Sequence, residues 1–95
     1  MKQGYIYILT NKPDGTLYVG VTSNLSARIY QHKQKMVEGF TKKYSLDTLV
    51  YYEIYDDIVI AIEREKEMKK WRRAEKVKHI MQSNPEWRDL YEDLI

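Results

Sequence analysis

GYIYILTNKPDGTLYVGVT, residues 4–22, is the stretch that decides the fold of this chain. Its two ends, residues 4–10 and 17–22, are rich in Tyr, Ile, Val, Leu and Thr, which favour β-strands. Between them stands Pro13-Asp14-Gly15, a turn sequence whose glycine can adopt a positive φ. The stretch therefore predicts an antiparallel hairpin.

A helix and a third strand are predicted after the hairpin. Leu25, Ile29 and Met36 recur at helical spacing, which predicts a helix over residues 24–37. Residues 49–55, LVYYEIY, contain no helix or strand breaker and have strong strand character. The chain up to residue 55 is therefore predicted to contain an antiparallel hairpin, a helix and a third strand.

The remainder of the sequence is predicted to be helical. A helix is expected over residues 58–72, and residues 73–81 form a further helical segment that could be continuous with it. Pro85 suits the first turn of a last helix. The packing stripe of that helix would consist of Trp87, Leu90, Tyr91 and Leu94. All these elements are predicted to form one domain over residues 1–95.

The composition excludes several kinds of protein. The chain has no cysteine, so disulfides, thiolate zinc sites and cysteine nucleophiles are excluded, and any metal must use oxygen or imidazole ligands. No apolar stretch approaches the roughly 18 residues of a membrane helix, and no leader precedes the first strand. A soluble, cytoplasmic protein without a membrane partner is expected.

Charge is unevenly distributed, although the formal net charge is only +2. Residues 1–43 hold seven Lys or Arg against two acids, residues 44–57 hold four acids and no base, and residues 64–79 hold eight bases against three acids. A solvated, charge-rich surface is one interpretation. The other is an anionic partner such as nucleic acid, because clustered Lys and Arg neutralise phosphates.

Glu65 is an anomaly in the predicted second helix. It falls near the middle of an apolar stripe that includes Ala61 and Met68. A carboxylate facing a core is costly unless a cation, a metal or hydrogen bonds compensate it. Two interpretations follow: Glu65 pairs with Lys69, its i, i+4 neighbour, or it is a metal-binding or catalytic carboxylate.

Arg28 and His32 lie on one side of the predicted first helix. The arginine is suited to bidentate recognition of a phosphate. A histidine on an apolar face is more often a hydrogen-bonded core residue, and that alternative stays open for His32. Tyr7 and Tyr18 are predicted to approach each other across the hairpin. A phenol, with a pKa of about 10, serves as a base at neutral pH only if cations lower that value.

These residues together resemble the GIY-YIG nuclease superfamily, in particular its small stand-alone bacterial members. The resemblance covers essentially the whole chain. It is carried by Tyr5-Ile6-Tyr7, by Tyr18-Val19-Gly20, by the spacing to Arg28 and His32, by the helix at residues 64–70, and by Asn84 before Pro85. Tyr5 stands where the motif has glycine, and Val19 where it has isoleucine.

The resemblance implies an α+β fold, with a small three-stranded antiparallel sheet flanked by helices. It also implies cleavage of phosphodiester bonds, in DNA, with one divalent metal, Mg²⁺ or Mn²⁺. Glu65 would hold the metal and Arg28 would neutralise the scissile phosphate. Tyr7 or Tyr18 would take a proton from the attacking water, and His32 would relay it or hold a tyrosine in place. The expected substrate contacts are Gly20, where the backbone approaches the site closely, Lys42, Lys43, Lys70 and Asn84.

Two other functions compete with a nuclease. A non-catalytic nucleic-acid-binding module would use the lysines, with exposed tyrosines stacking on bases. A protein-interaction module would use residues 84–95, which carry four acids and one base. Family members that cut specific sites generally carry a second DNA-binding domain, so specificity here would be low, directed by substrate structure or supplied by a protein partner. Repair, recombination and defence against foreign DNA are all compatible with such an activity.

Overall fold

The computed structural model describes residues 2–95 and has one three-stranded sheet with helices on both faces. The strands are β1 (Gly4–Thr10), β2 (Leu17–Thr22) and β3 (Thr48–Tyr55); the helices are α1 (Leu25–Lys33), α2 (Phe40–Lys43), α3 (Ile58–Lys69) and α4 (Arg73–Ser83), followed by a 3-10 turn at Leu90–Asp93. Neighbouring strands run antiparallel in the order β2-β1-β3. The predicted α+β class and the three-stranded sheet are confirmed.

β1 lies at the centre of the sheet and separates two hydrophobic clusters. Ile6 and Ile8 point to the face covered by α3 and α4, where Ala61 and Met68 are fully buried. Alternation sends Tyr7 and Leu9 to the opposite face. There they pack with residues of α1, of the loop before β3 and of the C-terminal segment. Both faces of β1 are therefore buried.

A polar network joins α3 to β3. The Glu53 carboxylate accepts from Nε and Nη2 of Arg64 at 2.9 and 3.1 Å and from the hydroxyls of Tyr51 and Tyr55. Burial alone would raise the pKa of Glu53, but these hydrogen bonds outweigh it and lower that pKa. The Arg64 guanidinium also lies 4.8 Å from the centre of the Trp71 ring. This network attaches the middle of α3 to the sheet.

The first helix is shorter than predicted. It ends at Lys33, because Gln34 caps it and Lys35 turns the chain out of the helix with a φ of 56°. Met36 therefore leaves the predicted apolar stripe, and its side chain is 64% exposed. His32 is buried on the stripe with Leu25 and Ile29.

The C-terminal third departs further from prediction. The expected helix over residues 58–72 ends at Lys69, and the separate helix α4 begins at Arg73. No helix starts at Pro85, because the Asn84 side chain accepts from the backbone N–H of Arg88 at 3.0 Å and donates to its carbonyl at 2.8 Å. These bonds close a tight turn, and only one turn of 3-10 helix follows.

The acidic C-terminal segment packs on its own domain. Trp87 is buried with the α3 and α4 cluster, whereas Leu90, Tyr91 and Leu94 pack on the opposite cluster. The predicted single stripe on one helix is therefore wrong. Because these side chains contact the domain itself, the segment does not present them as the surface that a protein-interaction module would need. Within residues 2–95, no helix is long and apolar enough to span a membrane.

Candidate active site

Three side chains from three elements form a buried hydrogen-bonded chain. The Tyr7 hydroxyl of β1 lies 3.0 Å from Nε2 of His32 on α1, and His32 Nδ1 lies 3.1 Å from Oγ1 of Thr41 on α2. Tyr7, His32 and Thr41 are 1%, 3% and 5% exposed. The hydrogen-bonded atoms of this chain are therefore largely shielded from bulk water.

Local sequence explains how the chain is assembled. Asn24 caps α1 by accepting from the backbone N–H of Ala27 at 3.2 Å, which fixes where the helix starts. Ile29 and His32, three residues apart, then share the buried face of α1. Tyr7 reaches the same layer from the centre of β1. His32 therefore contacts Tyr7 directly, in addition to packing against the core.

Burial controls the protonation of the Tyr7 and His32 pair. Burial and the nearby charge of Arg28 lower the pKa of His32 to about 4, against a weaker effect of Asp47, so the imidazole is neutral at pH 7. Burial likewise raises the pKa of the Tyr7 phenol. The nearby Arg28 guanidinium opposes that rise, but burial outweighs it. At neutral pH the site holds a protonated phenol beside an imidazole that is free to accept a proton.

Gly20 is required by the ring of Tyr7. The two residues are direct partners across β1 and β2, and a Cβ at Gly20 would overlap the Tyr7 hydroxyl and ring. Gly20 does not have a positive φ, so the restriction at this position is steric. The glycine leaves space for the Tyr7 phenol. Close approach of the backbone to substrate at Gly20 stays a prediction.

Tyr18 lies at the outer edge of the site. Its ring centre is 6.4 Å from that of Tyr7 and 6.1 Å from that of His32. On its other side, Phe40 stacks at 6.4 Å with an interplanar angle of 25°, and Tyr44 follows Phe40 at 4.8 Å. Phe40 and Tyr44 are each 47% exposed. An aromatic row therefore runs from the buried chain to the surface.

Arg28 and Glu65 approach the Tyr7 phenol from different helices. The Arg28 guanidinium donates to Gln31 Oε1 at 3.3 Å and also favours the Tyr7 phenolate, while the charge of Glu65 acts in the opposite direction. The structure thus brings Tyr7, Tyr18, Arg28, His32 and Glu65 into one neighbourhood, although α1 and α3 lie on opposite faces of the sheet.

The Glu65 carboxylate fits a metal that is bound jointly with substrate. Its side chain is 15% exposed, and the salt-bridge partner that residues 2–95 provide is Lys69, at 3.4 Å. The ion pair considered from the sequence is therefore present. Within those residues, no group of three or more His, Asp or Glu is arranged so that it could hold a metal ion by itself. Magnesium keeps several waters and commonly uses one or two carboxylates plus substrate phosphates, so a lone carboxylate suits it.

The expected substrate-contacting residues fall into two groups. Lys42, Lys43 and Lys70 are all exposed. Lys42 pairs with Glu38 at 3.0 Å, and Lys43 Nζ lies 5.3 Å from the centre of the Tyr44 ring. Asn84 is 6% exposed, and its amide is used by Val50 and Arg88. The amide therefore holds the turn after α4, and a contact of Asn84 with substrate stays a prediction.

Thr41 is the site residue that sequence reasoning missed. It lies in a four-residue helix without an apolar periodicity, and it contacts a residue nine positions away. The available signal was weak: Gly39 has a φ of 106°, which allows the chain to turn back toward α1 just before Thr41.

Comparison with known proteins gives one family. The family model described as GIY-YIG catalytic domain matches residues 3–78. A UPF0213 protein of Syntrophus aciditrophicus (strain SB) is 39% identical over 87 residues, which are 90% of this chain and 98% of the relative. A UPF0213 protein of Staphylococcus haemolyticus (strain JCSC1435) is 38% identical over 80 residues, 84% of this chain and 96% of the relative.

One solved structure has the same fold. The solution NMR structure of a UPF0213 protein from Bacillus halodurans matches with a TM-score of 0.56 and 24% sequence identity, covering 92% of each chain. At that identity the similarity concerns the fold alone.

Proposed function

Because the chain belongs to the GIY-YIG catalytic-domain family, a family of nucleases, we propose that it is a divalent-metal-dependent endonuclease that hydrolyses phosphodiester bonds in DNA. The observation that carries the proposal is the buried hydrogen bond between Tyr7 and His32, with Arg28 and Glu65 beside it. Apolar side chains would fill the same volume without the cost of burying polar groups. A proton-transfer role accounts for the pair.

Tyr7 is the general base of the proposed reaction. The attacking water gives a proton to the Tyr7 oxygen while the phenolic proton passes to Nε2 of His32, 3.0 Å away. The raised pKa of Tyr7 is then no obstacle, because the phenol does not have to ionise before the reaction. The lowered pKa of His32, about 4, keeps the imidazole able to accept that proton at neutral pH.

Arg28 is the phosphate-binding residue of the proposal. A guanidinium has five N–H donors in a planar fork that matches phosphate oxygens. Its only hydrogen bond to a side chain within the described residues, to Gln31, leaves most of these donors for substrate. Its fixed charge would stabilise the negative charge that develops as water attacks phosphorus.

Glu65 would hold the divalent metal, and Mg²⁺ or Mn²⁺ suits a single carboxylate with phosphate oxygens and water. When bound, such an ion polarises the phosphate and stabilises the leaving oxygen. Lys69 lies 3.4 Å from the carboxylate and would have to release it on loading. Weak metal affinity without nucleic acid is therefore expected.

The surface beside the site favours a nucleic-acid substrate. The aromatic row of Tyr18, Phe40 and Tyr44 ends at Lys43. Aromatic side chains interleaved with cations are typical of surfaces that contact bases and phosphates. The same feature supports the alternative of a non-catalytic binding module, so cleavage and binding have to be measured separately.

The test compares matched variants on labelled duplex, single-stranded and branched DNA with Mg²⁺ or Mn²⁺. Glu65→Gln removes the charge of the proposed ligand, and Glu63→Gln makes the same change on an exposed position of α3. Tyr7→Phe removes the base, and Tyr52→Phe removes the hydroxyl of its cross-strand partner on β3. We expect Glu65→Gln and Tyr7→Phe to lose cleavage by at least about 100-fold, and both controls to cut normally.

DNA binding by each variant separates the two functions. Glu65→Gln and Tyr7→Phe should still bind DNA, because they leave the surface lysines and aromatic rings in place. Cleavage that survives in either folded variant would contradict the roles assigned to these residues. A native chain that binds all three DNA forms and cuts none would favour the binding module.

A further inference from the structure

Thr41 has no role in the proposed reaction as described so far, yet it makes one of the two hydrogen bonds of His32. If Thr41 served only to fill space, valine would do so as well, because it has nearly the shape of threonine and no hydroxyl to bury. The residue is 5% exposed, although its neighbours Phe40 and Lys42 in the same short helix are exposed. The contact with His32 is thus what the hydroxyl of Thr41 provides.

The hydrogen-bond partners of His32 determine which nitrogen of its imidazole ring carries the proton. A neutral imidazole has one N–H donor and one acceptor nitrogen. Tyr7 is 1% exposed, and Nε2 of His32 is the hydrogen-bond partner that residues 2–95 provide for its hydroxyl. A buried O–H without an acceptor is costly, so Tyr7 donates to Nε2, which is therefore the acceptor nitrogen. The proton of the imidazole is then on Nδ1, where Thr41 Oγ1 accepts it at 3.1 Å.

We propose that Thr41 is a positioning residue that holds His32 in the Nδ1–H form, so that Nε2 can take the phenolic proton of Tyr7. This inference rests on the proposed function. When the proton is transferred, the Tyr7 O–H bond breaks and a bond from that proton to Nε2 forms. The resulting imidazolium has two N–H groups, and each has an acceptor in place: Thr41 Oγ1 for Nδ1–H, and the Tyr7 oxygen for Nε2–H.

The experiment uses Thr41→Val, which removes the hydroxyl and keeps the shape, with Thr41→Ser as the matched control that keeps the hydroxyl. Nitrogen-15 NMR of the full chain reports which ring nitrogen of each histidine is protonated. The chain has only two histidines, and the second is an internal reference, because His79 Nδ1 lies 2.9 Å from the Glu75 carbonyl and must donate to it. Cleavage is measured on the same samples.

We expect His32 to carry its proton on Nδ1 in the native chain and in Thr41→Ser, and on Nε2 in Thr41→Val, with His79 unchanged. Cleavage should fall about 100-fold in Thr41→Val, with an unchanged KM, and return in Thr41→Ser. A native His32 protonated on Nε2, or full cleavage by a folded Thr41→Val, would overturn the proposal. If the native chain does not cut but the NMR pattern is as expected, the nuclease proposal fails and the assignment of Thr41 to the His32 tautomer is upheld.

Discussion

Gly20 and Tyr7 are coupled at the scale of single residues. A methyl group at position 20 would overlap the Tyr7 ring, which is 1% exposed and has no room to move aside. We expect Gly20→Ala to lower the free energy of unfolding by about 1–3 kcal/mol, the usual cost of overpacking, and to reduce cleavage by displacing the phenol. Urea denaturation measures the first effect.

A double variant checks the cause of that loss. Tyr7→Leu removes the part of the side chain that the new methyl group would meet. Gly20→Ala combined with Tyr7→Leu should therefore be less destabilised than the sum of the two single changes, by about 1 kcal/mol. Strict additivity would mean that the ring of Tyr7 is not what requires the glycine.

His32 makes the fold sensitive to acid. Its pKa falls from 6.5 to about 4 because of burial and Arg28, with Asp47 acting weakly in the opposite direction. Between these two pH values the unfolded chain binds a proton that the folded chain does not. The free energy of unfolding should thus decrease as pH falls from about 6.5 toward 4, by about 1 kcal/mol over the first pH unit.

The measurement is urea denaturation at several pH values for the native chain and for His32→Gln. The variant lacks the titrating group, so its stability should change less between about pH 6.5 and pH 5.5, whatever its absolute stability. Equal pH slopes for the two proteins would show that His32 is not held neutral by the fold.

Helix α3 depends on the network around Glu53. Glu53→Gln keeps the size of the side chain but weakens its acceptance from Arg64, Tyr51 and Tyr55. We expect a loss of about 2 kcal/mol in the free energy of unfolding, the scale of hydrogen bonds to a charged group. Glu67→Gln is the matched control: Glu67 also pairs with Arg64, at 2.8 Å, but its side chain is 59% exposed, so its loss should be below about 0.5 kcal/mol.

The elements that sequence predicted well are those whose signals are local. The hairpin follows from its turn and its strand-forming residues, and α1 begins where Asn24 can cap it. Helix ends were less predictable, since α1 ends at Lys33 and the chain then leaves the helix through a positive φ at Lys35, a type of residue that rarely adopts one. The prediction of a last helix was wrong because the Asn84 side chain bonds to the backbone of Arg88. The sequence Ser83-Asn84-Pro85 does not indicate that bond.

At the scale of the whole molecule, the site exists because the sheet brings distant segments together. The family resemblance predicted from the spaced motifs is confirmed by the match over residues 3–78. The motif residues Tyr7 and His32 are 25 positions apart and meet through a buried hydrogen bond. Thr41 had no such motif to mark it, because its position depends on how α2 packs against α1.

The charge distribution of the whole molecule predicts how binding responds to salt. The two segments that contain the candidate site residues, 1–43 and 64–79, are rich in bases, whereas residues 84–95 carry four acids and one base. If Lys43 contacts a phosphate, Lys43→Gln should weaken DNA binding similarly for all DNA sequences. It should also reduce the slope of the logarithm of the DNA-binding constant against the logarithm of the salt concentration by about 1.

The matched control is Arg88→Gln, which removes one positive charge from the acidic segment, where Arg88 pairs with Asp93 at 2.8 Å. Its slope should match that of the native chain, because long-range net charge alone changes counterion release little. Equal loss of slope in both variants would mean that DNA responds to the total charge, and that the surface beside Tyr44 makes no specific phosphate contact.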